Sequence, residues 1–412
     1  MMEGRPLIGI DVGSSRVAVV VCSPEDDRLF IHGCGQARHD GARRGVIAKL
    51  DEVSEAVRIA AEEAEAMASV PVEEAVVGIG GVPIQGNPST ASVPVTGKGS
   101  TVSVEDVQRA LAACAHVSIP ADYRVLDIIP GGFALDGQPG MEHPVGMPGR
   151  RLDASAYVLY TNTTHADTVE QAVNHAAIVV RQLVYEPLAA AEAVLFPDER
   201  ELGCLLLDIG HSSTEWVLYA EGGVVASSAM PIGGRLFTAD LAAMMQTTTA
   251  AAEQIKRQVG ASLCRDGLDL EAVEVPALGG GGNQVHSLRF AAEILYERGR
   301  DLLIGVHRAL VHAGLDRVPR GGLVLTGGGA RLEGLEELAE EIFGFRARIG
   351  KPRALTGLAE PVSGPEWAVA CGLAWIVHKN RDRLPTTRQG RGGILAWLRN
   401  ALGDFFELGG GL

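Results

Sequence analysis

Long apolar runs are missing from this 412-residue chain: none reaches the roughly 18 residues that suggest a membrane-spanning helix. The N-terminus, MMEGRPLIGIDVG, passes straight into a strand pattern, without the apolar core and cleavage site of a signal peptide. Cysteine is sparse. Six residues stand at 22, 34, 114, 204, 264 and 371 with no CxxC spacing and no histidine at zinc-ligand distance, which fits reduced thiols in a cytosolic protein. Positive charge is in the minority, 36 basic against 51 acidic residues, and a net charge of -15 would repel a polyanion. Nucleic acid is therefore not expected as the main partner, and any membrane contact must be local. What the chain does have is 46% apolar and 21% charged positions, enough for a substantial core divided into two or more domains.

The pattern along the chain is α/β. Leu7 to Asp11 and Val17 to Val21 are β-branched runs separated by a Gly-Ser-Ser turn, which predicts an opening hairpin. Leu50 to Ala68 carries Val53, Ala56, Val57, Ala60, Ala64 and Met67 at helical spacing. Glu74 to Gly80 reads as a buried strand, Ile84 to Gly99 as an edge strand, and Val104 to Cys114 as a helix opened by Ser103 with Asp106 three positions on. Ile119 to Thr161 returns to short strands punctuated by proline and glycine. Residues 84–162 thus predict a small insertion within a larger domain. The second half repeats the opening: a strand over Leu202 to Ile209 ending at Asp208, a small-residue turn, and a returning strand over Trp216 to Tyr219. A third glycine turn, Leu323 to Ala330, leads to a helix over Leu332 to Phe343. Val285 to Leu310 reads as one long helix, and Leu278 to Asn283 as a glycine turn with no assigned chemistry. Glycines in such turns let amide N–H groups point at phosphate oxygens or a nucleoside edge.

Three such turns in this order resemble the actin, sugar-kinase and heat-shock-chaperone superfamily. Asp11-Val-Gly-Ser-Ser-Arg16 looks like its first phosphate loop, Asp208 to Thr214 like the second, and Leu325-Thr-Gly-Gly-Gly-Ala330 like the adenosine loop. Glu186-Pro-Leu-Ala-Ala190 resembles the first connecting helix and Pro365 to Trp375 the second, although small residues at such spacing also suit ordinary core packing. The run Ile119-Pro-Ala-Asp-Tyr-Arg-Val-Leu-Asp-Ile-Ile-Pro130, with Leu135-Asp-Gly-Gln and Pro144 to Leu152, is similar to the signature of the FtsA family, membrane-tethering actin homologues of bacterial division. PilM pilus-assembly proteins are the nearest rival and a small-molecule kinase of the same fold is the enzyme alternative, though no acid is marked as a kinase's catalytic base.

The resemblance implies an actin-like two-lobed ATPase fold with an α+β insertion, subdomain 1C, and a C-terminal amphipathic helix. The expected divisions are lobe 1 over 1–83, subdomain 1C over 84–162, lobe 1 again over 163–201, lobe 2 over 202–350, a closing segment and connecting helix over 351–378, a linker over 379–391 and a membrane-targeting helix over 392–408. It implies ATP held by Asp11, Gly13, Ser14, Ser15 and Arg16; by Asp208, Gly210, Ser212, Ser213 and Thr214; by Gly233 and Gly234; by Glu253 and Lys256, which on spacing alone also fit a solvated helix face; and by Gly327, Gly328, Gly329 and Ala330. Mg²⁺ is expected on Asp11 and Asp208 through water, with Glu186 and Asp208 as catalytic groups. The second loop departs from the usual Asp-x-Gly-Gly-Gly-Thr at His211 and Ser212, and Glu215 stands near the acid that normally follows. Slow or absent hydrolysis is therefore expected, because a displacement of about 1 Å at a reacting centre costs on the order of a hundredfold. His211 has no second histidine beside it and reads as a loop residue without chemistry.

Near the C-terminus, Ile394, Leu395, Trp397, Leu398, Leu402, Phe405, Phe406 and Leu408 share one half of a helical wheel, with Arg399, Asn400, Asp404 and Glu407 on the other. The polar stretch from Lys379 to Gly393 reads as a linker, so the stripe predicts an interfacial membrane helix. Partners implied by the resemblance are the C-terminal peptide of tubulin-like FtsZ, met through Arg289, Glu293, Arg298 and Arg300; further copies of the chain in filaments; later division proteins through subdomain 1C; and the inner face of the cytoplasmic membrane at the division site.

Overall fold

A computed structural model describes residues 5–115, 119–261, 268 and 270–379. The expected C-terminal helix and most of the linker lie outside the described residues. Two sheets built on one plan face each other across a pair of helices. In the first, Leu7–Val12, Arg16–Glu25 and Arg28–Arg38 form an antiparallel meander, and Glu74–Ile79 and Val179–Tyr185 add in parallel on the other side of Leu7–Val12. In the second, Leu205–Ile209, Thr214–Ala220 and Gly223–Met230 repeat the meander, and Leu323–Thr326 and Ala347–Ile349 repeat the parallel additions. The first sheet gains one more strand when Leu355–Gly357 returns to pair with Arg28–Arg38. The duplication expected from the two Asp-x-Gly turns is thus a duplication of whole sheets.

Small residues set the distances between layers. The helix Leu50–Ala68 buries Val53, Ala56, Val57, Ala60 and Ala64 on the first sheet. It lies so close that a Cβ on Gly35 would come within 2.0 Å of the Ala60 carbonyl oxygen. The two helices between the sheets, Glu186–Val194 and Ala368–Lys379, cross closer still, since a Cβ on Gly372 would lie 1.7 Å from the Ala189 oxygen. One continuous core runs from the first sheet through both helices to Leu206, Val217 and Val324 of the second. A separate core fills the outer side of the second sheet, under Gly234–Met244, Thr249–Val259, Leu288–His312 and Leu335–Phe343.

The insertion has its own core and its own sheet, ordered Gln85–Pro94, Arg151–Asn162, Tyr123–Leu135, Gln138–Met141, with Val104–Cys114 packed against it. Ser103 caps that helix as read from the sequence, with Asp106 closing the reciprocal box. Three of its four strands are long, and only Gln138–Met141 is short. Tyr123–Leu135 spans 13 residues, because Pro130-Gly-Gly132 is a bulge and not a break: Ala156 pairs with Pro130 and Ser155 with Gly132, leaving Gly131 extra. Other boundaries also move. Pro197–Leu202 is a short helix, so the following strand begins at Leu205; a 3-10 turn over Gly328–Arg331 delays the next helix to Leu335. The long helix begins at Leu288, because Ser287 accepts the Phe290 N–H as its cap and Asn283–Ser287 pairs with Ala272–Pro276 across the glycine turn.

Candidate functional site

Asp11 and Asp208 stand at equivalent ends of the first strands of the two sheets, so both carboxylates enter the space between the lobes. The loop after Asp11 is held from outside. Gly41 donates its N–H to His39 Nδ1 at 3.2 Å, which leaves the proton on Nε2 to donate to the Gly13 carbonyl at 3.0 Å. Gly45 donates to Ser14 Oγ at 3.3 Å, and the His39 amide donates to the Ser15 carbonyl at 3.1 Å. Arg16 reaches away from the loop: it donates to Gln36 Oε1 at 2.9 Å and to the Glu366 carbonyl, and its guanidinium lies 5.0 Å from the Trp367 ring centroid.

The second loop is held by the segment after the third strand. Gly234 donates to the Gly210 carbonyl at 2.9 Å, Arg235 to His211 at 2.7 Å, and Thr214 Oγ1 to the Ile232 carbonyl at 2.7 Å. Any side chain at 233 would strike the Gly210 oxygen at 2.7 Å, which is why glycine stands there. Lys256 ties the next helix to the same place, donating to the Gly234 carbonyl at 3.0 Å and Thr238 Oγ1 at 2.9 Å. Burial raises the Glu253 carboxyl, but Lys256, Thr238 and Arg257 outweigh it and hold the group down at about 2. The adenosine-like loop leans on the second loop. Gly327 has φ +79°, and a Cβ there would lie 2.2 Å from Asp208 Oδ1. Gly329 likewise packs on Ile209, Ala330 is buried, and Gly328 faces open space up to the Glu366 side chain.

Four acids meet between these loops. A Cβ on Gly80 would come within 2.2 Å of Glu186 Oε2 and 2.7 Å of Glu215 Oε1, so the two glutamates converge over one bare backbone position. Glu215 pairs directly with Asp208 across the strands and accepts the Gly81 N–H at 2.6 Å; its Oε2 is buried with no partner among the described residues. Burial pushes Asp11 up to about 6, with Arg16 pulling the other way. Burial and then Asp11 push Asp208 up to about 7 against Arg16, and burial and Asp208 push Glu215 up to about 8. Burial, with Glu215, Asp11 and Asp208, puts Glu186 well above the usual carboxylate range. Such a cluster is built to face positive charge.

Most of the residues expected from the sequence therefore gather in one cleft. Arg16, Glu253 and Lys256 are there too, but their charged ends are engaged in holding elements together. Glu215, His39, Gly80 and Gly81 were not among the expected site residues. The Gly-Gly pair closing the Glu74–Ile79 strand was the available signal, whereas nothing near His39 marks it. A cavity of about 580 Å³ is lined by Ala330, Arg331, Glu336, Lys351 and Glu366 but by none of the four acids. The expected peptide-binding residues lie apart, on the Leu288–His312 helix. Arg289 pairs with Glu293 at 3.1 Å, Arg298 holds Asp240 of the neighbouring helix at 2.5 Å, and Arg300 is exposed. Among the described residues no helix is long and apolar enough to cross a membrane.

Among solved structures, the fold is similar to the PilM–PilN type IV pilus biogenesis complex, with a TM-score of 0.66 at 19% identity, covering 90% of this chain and 98% of that one. It is also similar to MreB5 of Spiroplasma citri bound to ADP, with a TM-score of 0.57 at 14% identity over 93% and 98% of the two chains. These likenesses are of fold. Sequence likeness goes further: a family model described as "SHS2 domain inserted in FTSA" matches residues 81–160, and one described as "Cell division protein FtsA" matches residues 205–372. The chain is 32% identical to the cell division protein FtsA of Neisseria meningitidis serogroup B over 97% of its own length and 99% of the relative's. It is 31% identical to that of Bacillus subtilis, over 92% and 85%, and 30% identical to that of Escherichia coli K12, over 90% of each. With its two matched sheets, its inserted subdomain and its acid-lined cleft, the chain belongs to the FtsA family of cell division proteins.

Proposed function

We propose that this chain is an ATP-binding, self-polymerising adaptor that tethers the FtsZ ring to the inner face of the cytoplasmic membrane at the division site. The observation that carries the nucleotide part is the meeting of four acids, Asp11 and Glu215 buried and Asp208 and Glu186 half-buried, beneath three glycine-bearing loops. Without a counter-charge these carboxyls are driven toward protonation, and a divalent cation would supply one. Mg²⁺ keeps several waters and takes one or two carboxylates plus phosphates, which suits Asp11 and Asp208 as water-mediated holders. Glu186 and Glu215, converging over Gly80, are placed to orient a water. Bound nucleotide clamps the lobes and sets polymer geometry, with slow turnover or none.

The tethering part rests on sequence. Trp397, Phe405 and Phe406 belong at a headgroup boundary, and Arg388, Arg391 and Arg399 meet anionic lipid, each contributing about 1 kcal/mol near the surface. One such segment binds reversibly, and polymerisation multiplies the hold through avidity. The FtsZ peptide is acidic in this reading and meets the helix bearing Arg289, Glu293, Arg298 and Arg300; later division proteins meet subdomain 1C. Calorimetric titration of the full chain with ATP and Mg²⁺ tests the cleft: binding is expected, and none at millimolar nucleotide would defeat the proposal. Co-sedimentation with anionic liposomes tests the tail. A chain ending at Gly390 is expected to stay in the supernatant, and undiminished pelleting would remove the tail from the anchor's role.

A further inference from the structure

A short strap crosses the outside of the loop after Asp11. It runs from His39 to Ile47 and folds back on itself where Ala42–Arg43 pairs with Val46–Ile47. Both of its sides are anchored: Ala48 and Lys49 donate to the Gly41 carbonyl at 2.8 and 2.9 Å, and Gly45 rests on Gly81, whose Cα a Cβ at 45 would meet at 2.3 Å. From this fixed piece His39 grips the loop twice, by its amide on the Ser15 carbonyl at 3.1 Å and by its ring on the Gly13 carbonyl at 3.0 Å. The residue is only 8% exposed, and each ring nitrogen has one duty. Nδ1 takes the Gly41 N–H, so the proton of the neutral ring sits on Nε2, facing Gly13. Burial lowers the ring's pKa, against the Gly13 bond, Asp40 and Glu52, and so keeps it neutral near pH 7.

We propose that His39 is a positioning residue for the nucleotide: by holding the Gly13 carbonyl on the strap side, its Nε2 proton turns the Ser14 N–H the opposite way, toward a bound phosphate. The inference rests on the nucleotide-binding reading above and adds to it a residue that touches no ligand. The argument is one of dipoles. In a trans peptide the C=O and N–H point in opposite directions, and no peptide among the described residues is cis. A carbonyl swung inward would set partial negative charge against phosphate oxygens in a cleft that already gathers Asp11, Glu186, Asp208 and Glu215; an outward one presents an amide donor instead. Glycine at 13 has no Cβ to resist that swing, so a partner outside the loop has to hold the peptide plane.

The test is calorimetric titration of the full chain with Mg²⁺–ATP, comparing wild type, His39→Asn and His39→Gln, with the melting temperature of each. Asparagine puts an oxygen near the place of Nδ1 and loses the far donor, whereas glutamine puts an amide N–H near the place of Nε2. Both keep the backbone bond from residue 39 to Ser15, so only the ring's own bonds are at issue. His39→Asn is expected to bind about fivefold to tenfold more weakly, the worth of one hydrogen bond, and His39→Gln to stay within about threefold of wild type. A histidine that merely packs would rank affinity with melting temperature; here affinity is expected to follow the donor, whichever variant melts lower. Equal affinities of wild type and His39→Asn would overturn the inference, as would equal weakening in both variants. If wild type binds no nucleotide, the functional reading fails, and hydrogen exchange of the nucleotide-free proteins still decides the role of His39: the Ser14 and Ser15 amides are expected to quicken in His39→Asn and not in His39→Gln, and no difference between the two would overturn it.

Discussion

Glu215 shows how a single side chain sets a pH dependence for the whole protein. Its carboxyl titrates at about 8 in the fold against 4.5 when unperturbed, Asp208 at about 7 against 3.8, and Asp11 at about 6 against 3.8. The folded state therefore binds more protons than the unfolded chain between about pH 4 and pH 8, and stability falls as pH rises through that window. The empty protein is expected to melt highest near pH 5 and progressively lower toward pH 8. Glu215→Gln keeps the oxygen that accepts the Gly81 N–H and loses the charge. Calorimetric melting should find it more stable than wild type at pH 8, by on the order of 1–3 kcal/mol, and nearly equal at pH 5. An unchanged slope would mean that Glu215 does not share the cluster's charge. Position 215 was noticed in the sequence only as a departure from the usual aspartate. Its burial against Gly80 and Gly81, 134 residues away, is a tertiary fact that no local pattern carries.

Among the described glycines, Gly372 at the crossing of the two central helices leaves the least room for a side chain. Gly372→Ala places a methyl 1.7 Å from the Ala189 carbonyl oxygen and 2.3 Å from its carbon, both backbone atoms, so the helices themselves must separate. The expected cost is about 1–3 kcal/mol in thermal or denaturant unfolding. Gly328→Ala is the control, because its Cβ meets only the Glu366 Cβ at 4.0 Å and should leave unfolding unchanged. The small residues of this helix were legible as close packing, but how close depends on a partner chosen by the fold. Elements with a strong local signal were read correctly: Leu50–Ala68 from its apolar period, Val104–Cys114 from its capping box. Elements misread were those where one residue has two uses. Pro130 and its glycines signal a turn but serve a bulge in a long strand, and Val285 carries an apolar side chain into a hairpin before the helix begins.

The molecule as a whole depends on what joins two sheets of the same plan. The repeated Asp-x-Gly turns made the duplication visible in the sequence; the joints between the halves were not, because each pairs residues far apart along the chain. Glu215 binds Gly81, the root of the insertion, and two tyrosines bind the outer strand of the second sheet: Tyr185 donates to the Ser228 carbonyl at 3.5 Å, and Tyr157 of the insertion accepts the Ser227 N–H at 2.8 Å. That strand runs on to Ile232, Gly233 and Gly234, which hold the loop after Asp208, so the insertion is linked by backbone to the acid-lined cleft. Tyr157→Phe isolates this joint. The ring rests on the bare backbone of Gly86, where a Cβ would lie 2.4 Å from its edge, so it stays seated when the hydroxyl is removed. The acceptor for the Ser227 N–H is lost, together with the hydroxyl's longer contacts to the Ser227 carbonyl at 3.4 Å and Oγ at 3.2 Å, a cost of about 1–1.5 kcal/mol. In hydrogen exchange, the Ser227 amide is expected to quicken by about tenfold while amides of Leu205–Ile209, in the middle of the same sheet, keep their protection. If Ser227 exchanges at the wild-type rate, the hydroxyl is not what fastens the insertion to the second lobe, and the joint rests instead on the packing of the insertion's strands against Gly223–Met230 and on Glu215 with Gly81.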